Sequence, residues 1–120
     1  VTAAPAGDLA KVARGRWGEQ RAADRYVADG YVVLDRNWRC AHGELDLVVA
    51  RTGVVVFVEV KARANDRFGS AAAAVDRRKQ QRIRVLAARW LAAHPDHRGD
   101  VRFDVVAVTG VRVEVLADAF

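Results

Sequence analysis

Residues 44–61 read Glu44-Leu45-Asp46-Leu47-Val48-Val49-Ala50-Arg51-Thr52-Gly53-Val54-Val55-Val56-Phe57-Val58-Glu59-Val60-Lys61. Thr52-Gly53 is a turn signal between two runs rich in β-branched residues, which predicts a hairpin. The first strand alternates Glu44/Asp46/Val48 against Leu45/Leu47/Val49. The second is apolar from Val54 to Val58 and is expected at the centre of a sheet, buried on both faces. It ends on two charges, Glu59 and Lys61, which share a face with Val55 and Phe57 because they lie two residues apart. Burying an unpaired charge is costly, so the neighbouring strand must compensate.

A two-residue turn pairs Arg51 with Val54, sets Asp46 opposite Glu59 and Glu44 opposite Lys61, and gathers all four on one face. Directly opposed side chains then lie ~5 Å apart at Cβ. A four-residue loop keeps these faces, whereas a regular three-residue loop separates the carboxylates. Two facing carboxylates repel, which destabilises the sheet or raises one pKa. A divalent cation removes the conflict, since hard ions such as Mg²⁺ take one or two carboxylates and keep several waters. A lysine beside such an ion suits phosphodiester hydrolysis, orienting the nucleophile or stabilising developing oxyanions. The structural alternative is a Glu44–Lys61 ion pair, with Asp46 and Glu59 reaching solvent at the strand ends.

Outward from the hairpin, residues 8–29 carry Leu9, Val12, Ala13, Ala23, Tyr26 and Val27 at helical spacing. Gly15 and Gly18 each weaken that helix by up to ~1 kcal/mol relative to alanine, so its first turns are expected to fray. Asp29-Gly30 ends it. Tyr31–Leu34 reads as a strand, and His42-Gly43 as a break. Asn65–Gly69 reads as a loop, and Ser70 as the cap of a helix running from about Ala71 to Ala93 before Pro95. Val101–Val108 and Val111–Leu116 form a last hairpin turning at Thr109-Gly110. The order α-β-β-β-α-β-β implies an α/β fold, one mixed sheet with a helix on each side, over a single domain from 8 to 117. Residues 1–7 are expected to be a disordered tail.

Charge narrows the partner. The chain of 120 residues carries +5, and Arg77, Arg78, Lys79, Arg82, Arg84 and Arg89 supply +6 without an acid among residues 77–89. The rest nets −1, so the excess is one local patch suited to phosphate, unless it is simply a solvated helix face. Val75, Lys79, Ile83, Leu86 and Trp90 share one helix face, which aims Lys79 at the sheet with Gln80 flanking it; snorkelling past the core is the plainer role for Lys79. Glu19 lies in the row Val12/Glu19/Ala23/Tyr26, at the margin of the buried stripe, where it either faces the metal from the side or stays at the surface. No apolar run approaches the ~18 residues of a membrane span. The opening Val-Thr-Ala-Ala-Pro is unlike a signal peptide, and Cys40 stands alone, so a cytoplasmic setting is expected.

The assembled residues resemble the PD-(D/E)XK nuclease superfamily: Asp46 on one strand, Glu59-Val60-Lys61 on the next. More closely, Gly18-Glu19 with Ala22 and Tyr26, Gly30-Tyr31, Arg36-Asn37-Trp38-Arg39, Gly43–Leu47, Phe57–Arg63, Phe68-Gly69, Lys79 and Arg102–Val106 resemble the YraN family. Its members are small bacterial proteins regarded as predicted endonucleases, similar to archaeal Holliday junction resolvases. The resemblance spans residues 15–108 and implies a restriction-endonuclease-like sheet. It implies Asp46 and Glu59 as ligands of Mg²⁺ or Mn²⁺, a third from the Val60 carbonyl, Lys61 on the base side, and Glu19 as the helix-borne acid. Lys79, Arg77, Arg78, Arg82, Arg63 and Gln80 become the expected nucleic-acid contacts. Ala62 stands where relatives carry Ser or Thr, which removes a hydroxyl but no ligand.

Three functions compete on this reading. One is an endonuclease acting on nucleic acid, with structured or branched DNA expected as substrate and a homodimer as in resolvases. Another is a non-catalytic nucleic-acid-binding module serving a partner enzyme. The third is an interaction protein presenting Trp17, Trp38 or Trp90.

Overall fold

The computed structural model describes residues 6–64 and 75–120. Helix α1 (Ala6–Ala28) leads into strands β1 (Val32–Cys40), β2 (Gly43–Arg51) and β3 (Val54–Arg63). Helix α2 (Arg77–Ala93) then precedes β4 (Asp100–Thr109) and β5 (Arg112–Leu116). The five strands form one sheet in the order β1-β2-β3-β4-β5. All neighbours are antiparallel except β3 and β4, which run parallel. A parallel pair requires a crossover, and the segment carrying α2 provides it. This is the expected α-β-β-β-α-β-β mixed sheet with β3 at its centre.

Each helix covers one face. On the α2 side, Val48, Val55, Phe57, Phe103 and Val105 pack under Ile83, Leu86 and Trp90. On the α1 side, Leu47, Val49, Val56, Val58, Val106 and Val108 pack under Ala22, Ala23 and Tyr26. Val56, Phe57, Val105 and Val106 are wholly buried, as strands covered on both faces require.

Gly18 decides how closely α1 sits. A Cβ there would lie 2.7 Å from the Ala62 Cβ, so only glycine lets the helix backbone touch β3 beside Lys61. The helix is continuous through Gly15 and starts at Ala6, so residues 6–7 belong to it rather than to a tail. The remainder of that expected tail, residues 1–5, lies outside the described residues.

Several boundaries differ from expectation. β1 runs six residues past Leu34, because β2 pairs with it as far as Cys40↔Gly43. α2 begins at Arg77, not near Ala71, with the Asp76 carboxylate accepting the Lys79 N–H at 2.9 Å as its cap. The Ser70 cap and the 65–69 loop lie outside the described residues. The last hairpin turns at Gly110-Val111, since Thr109 pairs with Arg112. Gly110, with φ of 59°, supplies the left-handed residue that turn needs.

A second polar centre lies inside the α1 face. Asp104 is fully buried. It accepts two hydrogen bonds from Arg102 at 2.9 Å, one from the Tyr26 hydroxyl at 2.7 Å and one from the Asp118 amide at 2.9 Å. Arg102 also donates to the Tyr31 hydroxyl at 2.9 Å. The bond to Asp104 holds Arg102 firmly protonated, and burial together with the same carboxylate pushes the Tyr26 pKa far up. Every acceptor position of the buried carboxylate is thus in use, which is what its burial demands.

Candidate active site

The β2–β3 ladder follows the expected register from Arg51↔Val54 to Leu47↔Val58. Beyond it the alternation of faces slips. Leu45 is buried on the α2 side and Leu47 on the α1 side, although a regular strand would put both on one face. The neighbouring strand slips at the same level: Arg36 pairs with Leu47 and reaches Gln20 on α1 at 2.8 Å, whereas Trp38 pairs with Leu45 and packs on the α2 side. The residues between, Asn37 and Asp46, absorb the change, and Asn37 has a φ of 50°. The expected face shared by Glu44, Asp46, Glu59 and Lys61 is therefore corrected. Glu44 pairs with Arg39 at 2.7 Å rather than with Lys61, and this also removes the Glu44–Lys61 ion pair of the structural alternative.

The slip turns Asp46 into the gap between α1 and the sheet, where it lines a cavity of about 220 Å³ with Arg16, Glu19, Gln20, Arg36 and Asn37. Its carboxylate accepts the Val60 amide at 2.9 Å. A strand residue directs its N–H and C=O to the same edge, so the Val60 carbonyl lies on the β2 edge of β3, as its N–H to Asp46 does. Burial pushes the Asp46 pKa up to about 7, with the Glu59 charge next in effect and Glu19 and Glu44 adding to it, against the pull of the Val60 N–H. Asp46 and Glu59 thus meet electrostatically although they are not a ladder pair.

Glu59 is 9% exposed and faces two lysines, Lys79 at 2.7 Å and Lys61 at 3.9 Å. Lys79 comes from the first turn of α2, as its place on the apolar face predicted. Burial lowers the Lys61 pKa, and the hydrogen bond and charge of Lys79 lower it further. Lys79 moves upward: burial opposes this, but its bonds to Glu59 and Lys61 prevail. The two lysines are thus driven apart, Lys79 towards tighter and Lys61 towards weaker proton binding. Glu19 lines the same cavity as Asp46. Burial raises its pKa, opposed by a hydrogen bond from Asn37.

The basic residues divide. Arg77, Arg78 and Arg82 are exposed along α2. Gln80 turns back, its amide donating to the Val75 carbonyl at 3.0 Å, so it fixes the entry to the helix. Arg63 closes β3 in register with Thr109. Of the tryptophans, Trp90 is wholly buried, Trp38 is half-buried and Trp17 is 45% exposed. Asn37 is the site residue that sequence reasoning missed. Its one signal was that asparagine tolerates left-handed backbone, which the sequence did not place in any strand.

Among the described residues no three or more His, Cys, Asp and Glu side chains group closely enough to hold a metal ion on their own. Two carboxylates in mutual repulsion, with a backbone carbonyl on the strand edge beside Asp46, are still the kind of donors taken by an ion that keeps most of its waters. No helix among them is long and apolar enough to cross a membrane.

Comparison with known proteins places the chain. It is 56% identical to a UPF0102 protein of Frankia alni over 116 residues, covering 92% of this chain and 97% of that one. A UPF0102 protein of Clavibacter michiganensis is 49% identical over 110 residues, 88% and 93% of the two chains. One of Halorhodospira halophila is 48% identical over 107 residues, 89% and 86% of the two. The family description "Uncharacterised protein family UPF0102" matches residues 18–108, from the glycine that seats α1 to the end of the buried part of β4. The chain belongs to the UPF0102 family, the YraN-like group to which its motifs point.

Proposed function

We propose that this protein is a divalent-ion-dependent endonuclease of the PD-(D/E)XK type that hydrolyses phosphodiester bonds in nucleic acid, with structured or branched DNA as the favoured substrate. The observation that supports this reading is the electrostatic coupling of Asp46 with Glu59 and Lys61 just beyond the end of the β2–β3 ladder, with Arg77, Arg78 and Arg82 exposed on the helix that supplies Lys79. A carboxylate with its pKa near 7 beside a second carboxylate is an unfavourable arrangement for stability alone, and such groups cluster at functional sites.

A Mg²⁺ or Mn²⁺ ion held by Asp46 and Glu59, with the Val60 carbonyl and Glu19 at hand, would activate water and neutralise phosphate charge. The chain's own groups do the rest. Lys61, with its lowered pKa, takes a proton from the attacking water or orients it. Lys79 offers an ammonium to the phosphoryl oxygens. Arg77, Arg78 and Arg82 hold the flanking backbone without reading sequence. Glu59→Ala and Lys61→Ala should each abolish cleavage across a panel of single-stranded, duplex, flap and four-way-junction substrates with Mg²⁺ or Mn²⁺. Cleavage by the Asp46/Glu59 double variant would end the proposal.

One observation favours a second reading, a nucleic-acid-binding module that cuts nothing: Lys79 already satisfies Glu59 at 2.7 Å without a cation. An isotherm of Mn²⁺ binding to the wild type and to Asp46→Ala separates the two, since the module has no binding that depends on residue 46.

A further inference from the structure

The gap that contains Asp46 opens on its outer side into a groove of about 460 Å³ lined by Val12, Gly15, Arg16, Glu19, Asn37 and Arg39, with Glu44 at its end. One wall is the first half of α1, exposed on nearly every side from Leu9 to Arg14. The other is the β1–β2 hairpin. Groove and gap share Arg16, Glu19 and Asn37, so they form one channel that ends at Asp46.

Gly15 is the informative residue of that channel. Glycine inside a helix is destabilising, and it is kept where a close approach requires it. Gly18 has such a reason in Ala62, but a Cβ on Gly15 would meet nothing within 4 Å. The backbone at Gly15 is therefore open to the groove it lines. Arg16, next to it, is exposed and makes no hydrogen bond or ion pair within the described residues, acting on Glu19 only through its charge. A guanidinium carries five donors, and Arg39 spends its shortest contact on Glu44, so donors remain along both walls.

Resting on the nuclease reading, we infer that this channel takes one unpaired nucleic-acid strand adjoining the scissile phosphate, while α2, on the opposite face of the sheet, takes the duplex. A channel of this size accommodates roughly one or two nucleotides and excludes a double helix. The substrate class is therefore a junction between duplex and single strand, with a backbone phosphate approaching the helix at Gly15 and meeting Arg16.

The test measures affinity, with divalent ion omitted, for a blunt DNA hairpin and for the same hairpin bearing a short single-stranded overhang. The wild type should prefer the overhang by about tenfold, the worth of one charge-assisted contact. Gly15→Leu, which fills the groove with a better helix former, and Arg16→Ala should each lose that preference and keep wild-type affinity for the blunt hairpin. No preference in the wild type, or an unchanged preference in both variants, would overturn the inference while leaving the nuclease reading intact. Failure to bind either hairpin would remove both.

Discussion

Replacing Asp46 by asparagine should make the metal-free protein more stable at pH 8 and leave it unchanged near pH 4. The carboxyl pKa rises from 3.8 to about 7, and each pH unit of such a rise is worth 1.36 kcal/mol, which bounds the effect at about 4 kcal/mol. Because Asp46 is only partly buried and its neighbours can relax, roughly 2–4 kcal/mol is expected. The sign follows from linkage. A folded-state pKa above the unfolded one means the folded protein binds the proton more tightly, so this contribution is complete below pH 3.8 and lost as pH climbs through 7. Asparagine still accepts the Val60 N–H but carries no charge to desolvate or to oppose Glu59. Urea titrations of both proteins at several pH values isolate residue 46 and its coupling to Glu59, Glu19 and Glu44, because acids that do not feel its charge cancel in the difference. Mn²⁺ at about a hundred times its Kd should return about 2.7 kcal/mol to the wild type alone. A wild-type minus variant difference that does not change between pH 4 and pH 8 would refute the reasoning.

Gly18→Ala should destabilise by about 1–3 kcal/mol despite its better helix propensity, because its Cβ would meet Ala62 at 2.7 Å, whereas Gly15→Ala should stabilise by up to ~1 kcal/mol; thermal melts of the two compare directly. Asp104→Ala should cost about 3–5 kcal/mol by stranding Arg102 and Tyr26, and Tyr26→Phe about 1.5–3 kcal/mol, both read from denaturant midpoints. Arg77→Ala with Arg78→Ala should weaken binding to any nucleic-acid sequence and reduce the slope of log affinity against log salt by about 2.

The hairpin register was legible because a two-residue turn at Thr52-Gly53 leaves the strands little choice between Arg51↔Val54 and Leu47↔Val58. The slip beyond it was not. It rests on a positive φ at Asn37, which a sequence shows only as a residue able to adopt it. The length of β1 was hidden for a related reason: Asp35, Arg36 and Arg39 on a half-exposed edge strand erase the apolar alternation by which strands are found. Ala71–Ala74 drew the expected helix start upstream by propensity, while Asp76 acts as the cap. Asp104 read as one polar residue in a valine-rich strand. Its burial depends on Tyr26, 78 residues away, and on Asp118, and no local pattern announces that meeting. Lys79 was legible because helix periodicity alone aims it at the sheet.

The balance around Glu59 has a consequence for how the proposed site would load. Its carboxylate now spends its shortest contact on Lys79, at 2.7 Å, and a carboxylate that turns to a cation weakens that bond. The ammonium so released sits on the first turn of α2 beside Arg77 and Arg78, where the phosphate backbone is expected. Ion and nucleic acid should therefore bind cooperatively, each raising the other's affinity by the same factor. Lys79→Met isolates the mechanism: without the ammonium, Glu59 is less engaged, so Mn²⁺ should bind more tightly to the free protein, while the gain on adding nucleic acid should vanish. The same change removes the hydrogen bond and charge that depress Lys61, so any residual cleavage should need a higher pH. Equal cooperativity in wild type and variant, measured by Mn²⁺ titration with and without DNA, would mean that Lys79 serves Glu59 only as a structural partner.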